Sequence, residues 1–238
     1  MILFATNGCK KDDSPAQETV TPITDDLFPL TAGHQYQFWG YLVKKNTVDS
    51  EYANTHFVYQ STWTLIPTGS SAVWLIKDST TVGYPNTPSY LQIMKTSSGD
   101  FSFRQTLGPF YRAFNIAYTD TLIWVEVAKP SVGLGVQWTA FDTTINKDTL
   151  GTTIPIHLQI FGKIEAQESI TDSTSGHVVH NCYRVRTWRK ISVGTSVVQD
   201  DATTGKIWLA KDVGPVQLNI AGDSENYGHF RVMKSKNF

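Results

Sequence analysis

Apolar and polar residues alternate along short segments of this chain, and turn-forming residues separate the segments. In residues 34–43, Tyr36, Phe38 and Leu42 occupy alternate positions, so in a strand they would share one face. This period of two is typical of antiparallel strands, whereas an amphipathic helix has a period near 3.6. Comparable segments follow at 55–66, 71–77, 89–95, 101–105, 121–128, 135–141, 154–170, 181–193, 206–211, 214–220 and 229–234.

Helical periodicity is not sustained anywhere in the sequence, and residues 108–118 are the best candidate for a single short helix. Turn chemistry rich in Gly, Pro, Asn, Asp and Ser lies between the strand segments. The sequence therefore predicts an all-β body, built as one or more curved antiparallel sheets or a half-barrel, with at most one short helix.

A short internal sequence repeat bears on the number of units in this body. The sequence WLIKD at Trp74–Asp78 returns as WLAKD at Trp208–Asp212. Two interpretations stay open: one β-rich body over 27–238, or two related β units over 27–128 and 129–238. A solenoid is disfavoured because it needs at least three copies.

The first residues of the chain have a different character. An apolar run ends at Gly8 and Cys9, and residues 10–26 are rich in Pro, Thr, Asp and Glu with almost no large apolar side chains. The run is shorter than the roughly 20 residues that span a bilayer, and it ends as a secretory segment ends when its Cys is acylated. We expect a residual signal segment at 1–8, a lipidated Cys9 and a flexible tether over 9–26.

The Gly8–Cys9 junction resembles the lipobox of bacterial lipoproteins, although Thr6 stands where Leu is usual. Residues 26–38 and 208–220 are similar to the strand entry and the closing hairpin of β-rich bacterial envelope lipoproteins. The resemblance implies a curved sheet or half-barrel that a lipid anchor holds at the outer membrane, facing the periplasm or the cell surface. Most members of that group have no assigned activity.

Charge and cysteine content exclude two further classes. The net charge of -1, without a cluster of Lys and Arg along a helix, lacks the basic footprint of a nucleic-acid binder. The chain has two cysteines, and acylation of Cys9 would leave Cys182 without a partner for a disulfide. In its strand Cys182 is predicted to be a small buried thiol.

A metal site is conceivable at His177, His180 and Cys182, which are residue types that bind zinc. No fourth ligand is evident in the sequence, and a histidine pair beside a buried thiol is the favoured interpretation. We predict no metal site there. Fingerprints for nucleotide cofactors are missing as well, so no cofactor is predicted.

Basic and aromatic residues alternate along the segment 181–193: Arg184, Arg186, Trp188 and Lys190. Guanidinium groups beside an indole can hold a carboxylate, a sulfated sugar or a lipid headgroup, so these residues are the candidate binding face. The alternative is a set of ordinary ion pairs with Glu165 and Glu168 on the preceding strand.

For function, the sequence predicts a membrane-anchored, non-catalytic binding or scaffolding module. A curved sheet with a large aromatic-lined face leaves a concavity suited to an apolar or amphipathic ligand. One alternative is a surface module that recognises a glycan or an envelope protein through some of its seven tryptophans. A second alternative is a hydrolase whose carboxylates converge only in the fold.

Overall fold

The computed structural model describes residues 21–43, 58–81, 88–117, 122–174, 176–221 and 228–238. The body consists of antiparallel strands, one short helix and one 3-10 turn at Pro130–Val132. The strands are β1 (Gln35–Val43), β2 (Val58–Pro67), β3 (Val73–Thr81), β4 (Ser89–Lys95), β5 (Phe101–Thr106), β6 (Leu122–Ala128), β7 (Gln137–Thr149), β8 (Thr152–Thr171), β9 (Val179–Val193), β10 (Ser196–Ala210), β11 (Gly214–Ile220) and β12 (Gly228–Lys236). The helix α1 (Gly108–Ala113) lies between β5 and β6.

All twelve strands belong to one sheet, in the order β6-β5-β4-β3-β2-β1-β12-β11-β10-β9-β8-β7. Except for β6 and β7, which form the two edges, strands that follow one another along the chain are neighbours, and the first and last strands pair in the middle of the sheet. The sheet curls until its edge strands β6 and β7 are in contact, which makes it nearly closed and barrel-like. The all-β prediction with a single short helix is confirmed.

The interior is filled by the apolar side chains at alternate positions of the strands. On β1, Tyr36, Phe38 and Leu42 are buried, and on β2 Trp63 and Leu65 are buried. Large side chains that alternate along neighbouring strands interdigitate and exclude water, which is the main source of stability in such a core. Phe57, which the sequence places on the same face of β2, lies outside the described residues.

The two edges of the sheet are joined by a side chain. Among the described residues, β6 and β7 are not hydrogen-bonded as neighbouring strands. Instead the Trp138 indole on β7 donates a hydrogen bond of 2.9 Å to the Glu126 carbonyl oxygen on β6. Trp138 is directly opposite Gly162 of β8, and a Cβ atom at Gly162 would lie 2.3 Å from the Trp138 ring. The missing side chain of Gly162 thus leaves the space in which the indole reaches across the seam.

The N-terminal segment defines one end of the sheet, which we call the entry end. Odd-numbered strands run away from this end and even-numbered strands return to it. Leu27 and Phe28 are each 1% exposed and belong to the core. The Ile23 amide donates to the Pro130 carbonyl at 2.9 Å, and the Asp25 carboxylate lies 3.0 Å from the Lys211 ammonium. The opposite end is called the mouth end.

These contacts move the boundary of the predicted tether. Residues 23–26 were assigned to a tether over 9–26, yet Ile23 packs against the core and Asp26 forms an ion pair of 2.6 Å with Lys95. Burial of Leu27 and Phe28 draws the preceding residues onto the body. The tether prediction for residues 9–20, and the lipidation of Cys9, concern residues outside the described ranges.

Two hairpins at the mouth end are longer than the sequence predicts. β7 continues to Thr149 and β10 begins at Ser196, through polar residues that do not alternate with apolar ones. Leu150 and Gly151 join β7 to β8 with φ values of 49° and 80°, the conformation of a tight hairpin turn. Hydrogen bonding to the neighbouring strand therefore extends these strands through residues that have no buried apolar face.

The two copies of the internal sequence repeat lie at different structural positions. Trp74–Asp78 lies within β3, whereas Trp208–Asp212 ends β10 and continues into the turn before β11. Division of the body into two related units stays a prediction. In the described part of the chain, no helix has the length and apolar character needed to cross a membrane.

Candidate ligand-binding site

A cavity of about 300 Å³ lies inside the sheet at the mouth end. One wall is mainly apolar and comes from the β5–α1 junction, β6 and β8, with Gln105 and Thr106 as its polar members. Its apolar side chains are those of Leu107, Phe110, Ile123, Val125, Val127, Leu158 and Ile160. Alternate residues of β6 and β8 point to the interior of the sheet, so the cavity-lining side chains of these two strands lie on the same face as the core residues.

The adjoining wall of the cavity is mainly polar and comes from β9, β10 and the end of β11, with Ala202, Ile220 and Ala221 as its apolar members. The Arg189 Nε atom donates a hydrogen bond of 2.7 Å to the Gln199 side-chain oxygen, and both residues line the cavity. The Thr204 hydroxyl donates to the Thr187 hydroxyl at 2.9 Å beside them. One space therefore meets apolar side chains on one side and hydroxyl, amide and guanidinium groups on the other.

Helix α1 covers the cavity on the side of the seam. Gly108 and Pro109 begin the helix, and Pro is well suited to the first turn because its missing N–H would have no partner there. Phe110 packs with Leu158 and Ile191 in a second apolar cluster. The Lys147 ammonium on β7 donates to the Phe114 carbonyl oxygen at 2.7 Å, just after the helix. These contacts hold α1 between β6 and the long hairpin of β7 and β8.

The candidate binding face predicted from the sequence lies on the outside of the sheet. Arg184 donates to Glu165 at 3.2 Å and to Glu168 at 3.1 Å. Arg186 donates to Asp201 at 2.9 Å, and its guanidinium lies 5.1 Å from the centre of the Trp188 ring. For Arg184 the structure thus shows the ion pairs with the preceding strand that were the alternative interpretation.

The remaining member of that face, Lys190, lies opposite Gln159 of β8. The cavity is lined by the alternate residues of the same strand, Thr187 and Arg189. Sequence reasoning missed Arg189 because it followed the outward series of basic residues. The available signal was a charged residue at an inward position of an alternating strand, next to Trp188.

The His177, His180 and Cys182 group is organised by a carboxylate. The His180 Nε2 atom lies 2.8 Å from Asp172, which also accepts a hydrogen bond of 3.0 Å from the Val178 amide. Cys182 is fully buried, and burial raises the pKa of its thiol to about 12. The predicted buried thiol is confirmed. Among the described residues, no three His, Cys, Asp or Glu side chains are gathered as metal ligands.

A polar network that the sequence did not predict lies inside the sheet on the opposite wall, formed by β2, β3 and β12. The Arg231 guanidinium, 7% exposed, donates to Asp78 at 2.7 Å, to Ser61 at 3.1 Å and to the Tyr59 hydroxyl at 3.0 Å. Tyr59 also shares a hydrogen bond of 2.9 Å with Nδ1 of His229. Burial is the main reason that the pKa of His229 falls to about 4; Arg231 lowers it further and Asp78 opposes the shift.

The partly buried His229 predicts a pH dependence of stability. The fold favours the neutral imidazole, while the unfolded chain takes up a proton below a pH of about 6.5. Stability is therefore lost as the pH falls from about 6.5 towards about 4, with a total of about 3 kcal/mol from this group. Urea unfolding at about pH 7 and about pH 5 should show a decrease about 2 kcal/mol larger in the wild type than in His229→Gln. Equal decreases would contradict a neutral His229 in the folded protein.

Comparison with known proteins yields two solved structures of similar shape. One is a candidate lipoprotein from Parabacteroides distasonis, 12% identical, with a TM-score of 0.47, over 90% of this chain and 99% of that chain. The other is a candidate exported protein with a YmcC-like fold from Bacteroides fragilis, 13% identical, with a TM-score of 0.48, over 90% of this chain and 100% of that chain. No family model and no curated protein matches the chain. A likeness at this level assigns neither a family nor an activity.

Proposed function

We propose that this chain is a non-catalytic binding protein of the bacterial cell envelope that holds a small amphipathic ligand in the cavity at the mouth end. The observation that carries the proposal is the division of the cavity into an apolar and a polar wall. Its volume of about 300 Å³ is at the lower end of the range for small-molecule sites, roughly 300–1,000 Å³.

Each wall favours a different part of such a ligand. Burial of an alkyl or aromatic group against the apolar wall contributes about 25 cal/mol for each Å² of apolar surface removed from water. A purely apolar ligand would displace water from the polar wall without replacing the hydrogen bonds to that water, which costs free energy. A ligand with one apolar and one polar part satisfies both walls.

The proposed location follows from the sequence. The Gly8–Cys9 junction and the polar residues 10–22 fit a lipid-anchored tether. The described N-terminal segment reaches the body at the entry end, where Asp26 accepts a hydrogen bond of 2.8 Å from the Asp212 amide. An anchor at Cys9 would therefore hold the body by the end opposite to the cavity, and the mouth would exchange its ligand with the aqueous side.

The hydrolase alternative has less support from the geometry. The carboxylates that the sequence offers for it are Glu126, Glu165, Glu168, Asp200 and Asp201. Of these, Glu165 and Glu168 both accept hydrogen bonds from Arg184 on the outer face of the sheet. One observation favours the alternative of a surface-recognition module: Phe161 and Trp188 pack with ring centres 5.8 Å apart on that outer face. Binding of a small amphipathic ligand within the cavity explains more of the described interior.

The cavity proposal is tested with decanol, a neutral probe, by isothermal titration calorimetry. The wild type should bind decanol in a saturable manner, and Ile160→Trp should weaken binding by at least about tenfold, because the indole occupies the space beside the apolar wall. Val197→Trp is the matched control, since it adds the same ring on the β9–β10 hairpin where Val197 is 51% exposed. Absence of saturable binding by the wild type, or equal binding by Ile160→Trp, would refute the proposal.

A further inference from the structure

We propose that a second site, a groove at the entry end of the sheet, binds a neutral sugar ring. The groove has a volume of about 520 Å³ and lies between Asp26 of the N-terminal segment and Trp74 and Lys95 of the sheet. We call it the entry groove. The inference goes beyond the proposed function, because the entry groove shares no lining residue with the cavity at the mouth end.

Trp74 and Leu30 supply an apolar surface in the entry groove. Trp74 begins the inward face of β3, two residues before Ile76, which is fully buried. Trp74 and Leu30 both pack against the core but are only partly buried, and both line the groove. The part of the flat indole that the core leaves uncovered matches the face of a sugar ring that carries C–H groups.

An ion pair beside this apolar surface has hydrogen-bonding capacity left for a ligand. The Lys95 ammonium donates to Asp26 Oδ1 at 2.6 Å and to the Phe28 carbonyl oxygen at 3.0 Å. The Phe28 amide donates to the same Asp26 oxygen at 3.0 Å. An ammonium has three N–H donors and a carboxylate has two oxygen acceptors. Within the described part of the chain, one donor of Lys95 and Asp26 Oδ2 therefore stay available.

These two groups fit a pair of neighbouring hydroxyls on a sugar ring. One hydroxyl donates to Asp26 Oδ2, and the next accepts from the third N–H of Lys95. Hydrogen bonds to charged groups are stronger than those between neutral groups. The exposed hydroxyls of Thr31, Ser71 and Ser97 also line the groove and can either donate or accept.

The charges of the entry groove favour a neutral ligand. Among the described residues that line it, Asp26 and Lys95 are the ionisable ones, and they neutralise each other. A charged ligand would compete with this ion pair, whereas a neutral polyol adds hydrogen bonds to it. A ligand with one apolar face and several hydroxyls, such as a pyranose, therefore suits the groove best.

The test is a saturation-transfer NMR titration of the full chain with methyl glycosides of glucose, galactose, mannose and N-acetylglucosamine. At least one glycoside should bind saturably, with a Kd of about 1 mM or tighter, and the C–H protons of one ring face should receive the most saturation. Sorbitol is the matched probe, because it has the hydroxyls of a sugar without a rigid apolar face, and it should bind at least about tenfold more weakly.

A tetrasaccharide of the ring that binds distinguishes two sources of the same chemistry. Tighter binding of the tetrasaccharide than of its methyl glycoside would assign the ring to a glycan chain. Equal affinities would assign it to a free sugar. Both results support the site in the entry groove.

A pair of neighbouring carboxylates locates the binding within the molecule. Asp26→Asn should weaken glycoside binding at least about tenfold. Its amide oxygen stays with the Lys95 and Phe28 donors, so an NH₂ donor replaces the Oδ2 acceptor. Asp25→Asn is the matched control, since Asp25 also pairs with a lysine, Lys211 at 3.0 Å, but does not line the groove. It should leave glycoside affinity unchanged.

A groove-filling variant covers the case in which Asp26→Asn folds poorly. Ser97 is exposed in the turn between β4 and β5 and lines the groove, so Ser97→Trp should fill it without touching the ion pair. This variant should melt at the wild-type temperature and lose glycoside binding.

The outcomes separate this inference from the proposed function. Absence of saturable binding of all four glycosides would overturn the inference, and so would sorbitol binding as tight as that of the best glycoside. Equal weakening by Asp25→Asn and Asp26→Asn, or wild-type glycoside affinity in Ser97→Trp, would overturn it too. Decanol should bind the wild type and Asp26→Asn equally, because the cavity at the mouth end is a different site. Failure of glycoside binding alone thus leaves the proposed function standing, and failure of decanol binding alone leaves the entry groove standing.

Discussion

Gly162→Ala should lower the free energy of unfolding by about 4 kcal/mol. The added Cβ atom would lie 2.3 Å from a ring atom of Trp138, closer than any real contact, and an indole ring cannot bend away. The ring would have to leave its site, where it is 6% exposed, and would lose its hydrogen bond to Glu126. Loss of a buried Trp side chain typically costs 3–5 kcal/mol. Urea unfolding followed by circular dichroism measures the change.

Gly205→Ala is the matched control, because Gly205 also lies within a strand. Its added Cβ would approach nothing closer than 3.4 Å, the distance to the Thr187 hydroxyl. A Gly→Ala substitution without strain restricts the unfolded chain and stabilises a protein by about 0.4–1 kcal/mol. The two variants should therefore change stability in opposite directions. Equal midpoints for Gly162→Ala and the wild type would mean that Trp138 does not occupy the seam as described.

The seam also connects stability to the candidate site. Glu126, whose carbonyl oxygen receives the Trp138 hydrogen bond, lies between Val125 and Val127 on β6, and both valines line the cavity. Movement of Trp138 would release this edge of the sheet and change the apolar wall. The hydrogen bond between Trp138 and Glu126 therefore affects both the closure of the sheet and the shape of the cavity.

The strands could be predicted from the sequence because alternation is a local property. Burial of Tyr36 and Phe38 on one face of β1 requires only that neighbouring residues point to opposite sides. The curvature of the sheet depends instead on contacts between distant strands, such as that of Trp138 with Glu126. No local pattern encodes such a contact. The extended hairpin ends were missed for the same reason, because pairing with a neighbour rather than burial determines them.

The candidate site was predictable only in part. The sequence predicted a binding face on β9 and a concavity suited to an amphipathic ligand, and other residues of β9, Thr187 and Arg189, line the cavity. It could not place Arg189 in that concavity, because this needs the registers that bring Ile160 and Ala202 beside it from two other strands. The interior ion pair was equally hidden, since Asp78 and Arg231 are far apart in the chain and meet across β2 and β1, which lie between β3 and β12 in the sheet.

That interior ion pair leads to the second large effect. Arg231→Met should destabilise the protein by about 3–5 kcal/mol, because it leaves the Asp78 carboxylate in the interior without its charged partner. Among the described residues, Asp78 would keep the hydrogen bond from the Ser61 hydroxyl, 2.6 Å long, and the Tyr59 hydroxyl would lose its donor from Arg231. Urea unfolding at neutral pH measures the loss.

Two further variants separate the loss of a charge partner from the loss of packing. Arg184→Met removes the same kind of side chain from the outer face, where Arg184 is 31% exposed, and should cost about 1 kcal/mol or less. The double variant Asp78→Leu with Arg231→Met leaves no unpaired charge and should be more stable than Arg231→Met alone. A double variant less stable than the single one would mean that the network contributes through its geometry, as the support for Tyr59 and His229, rather than through the pairing of its charges.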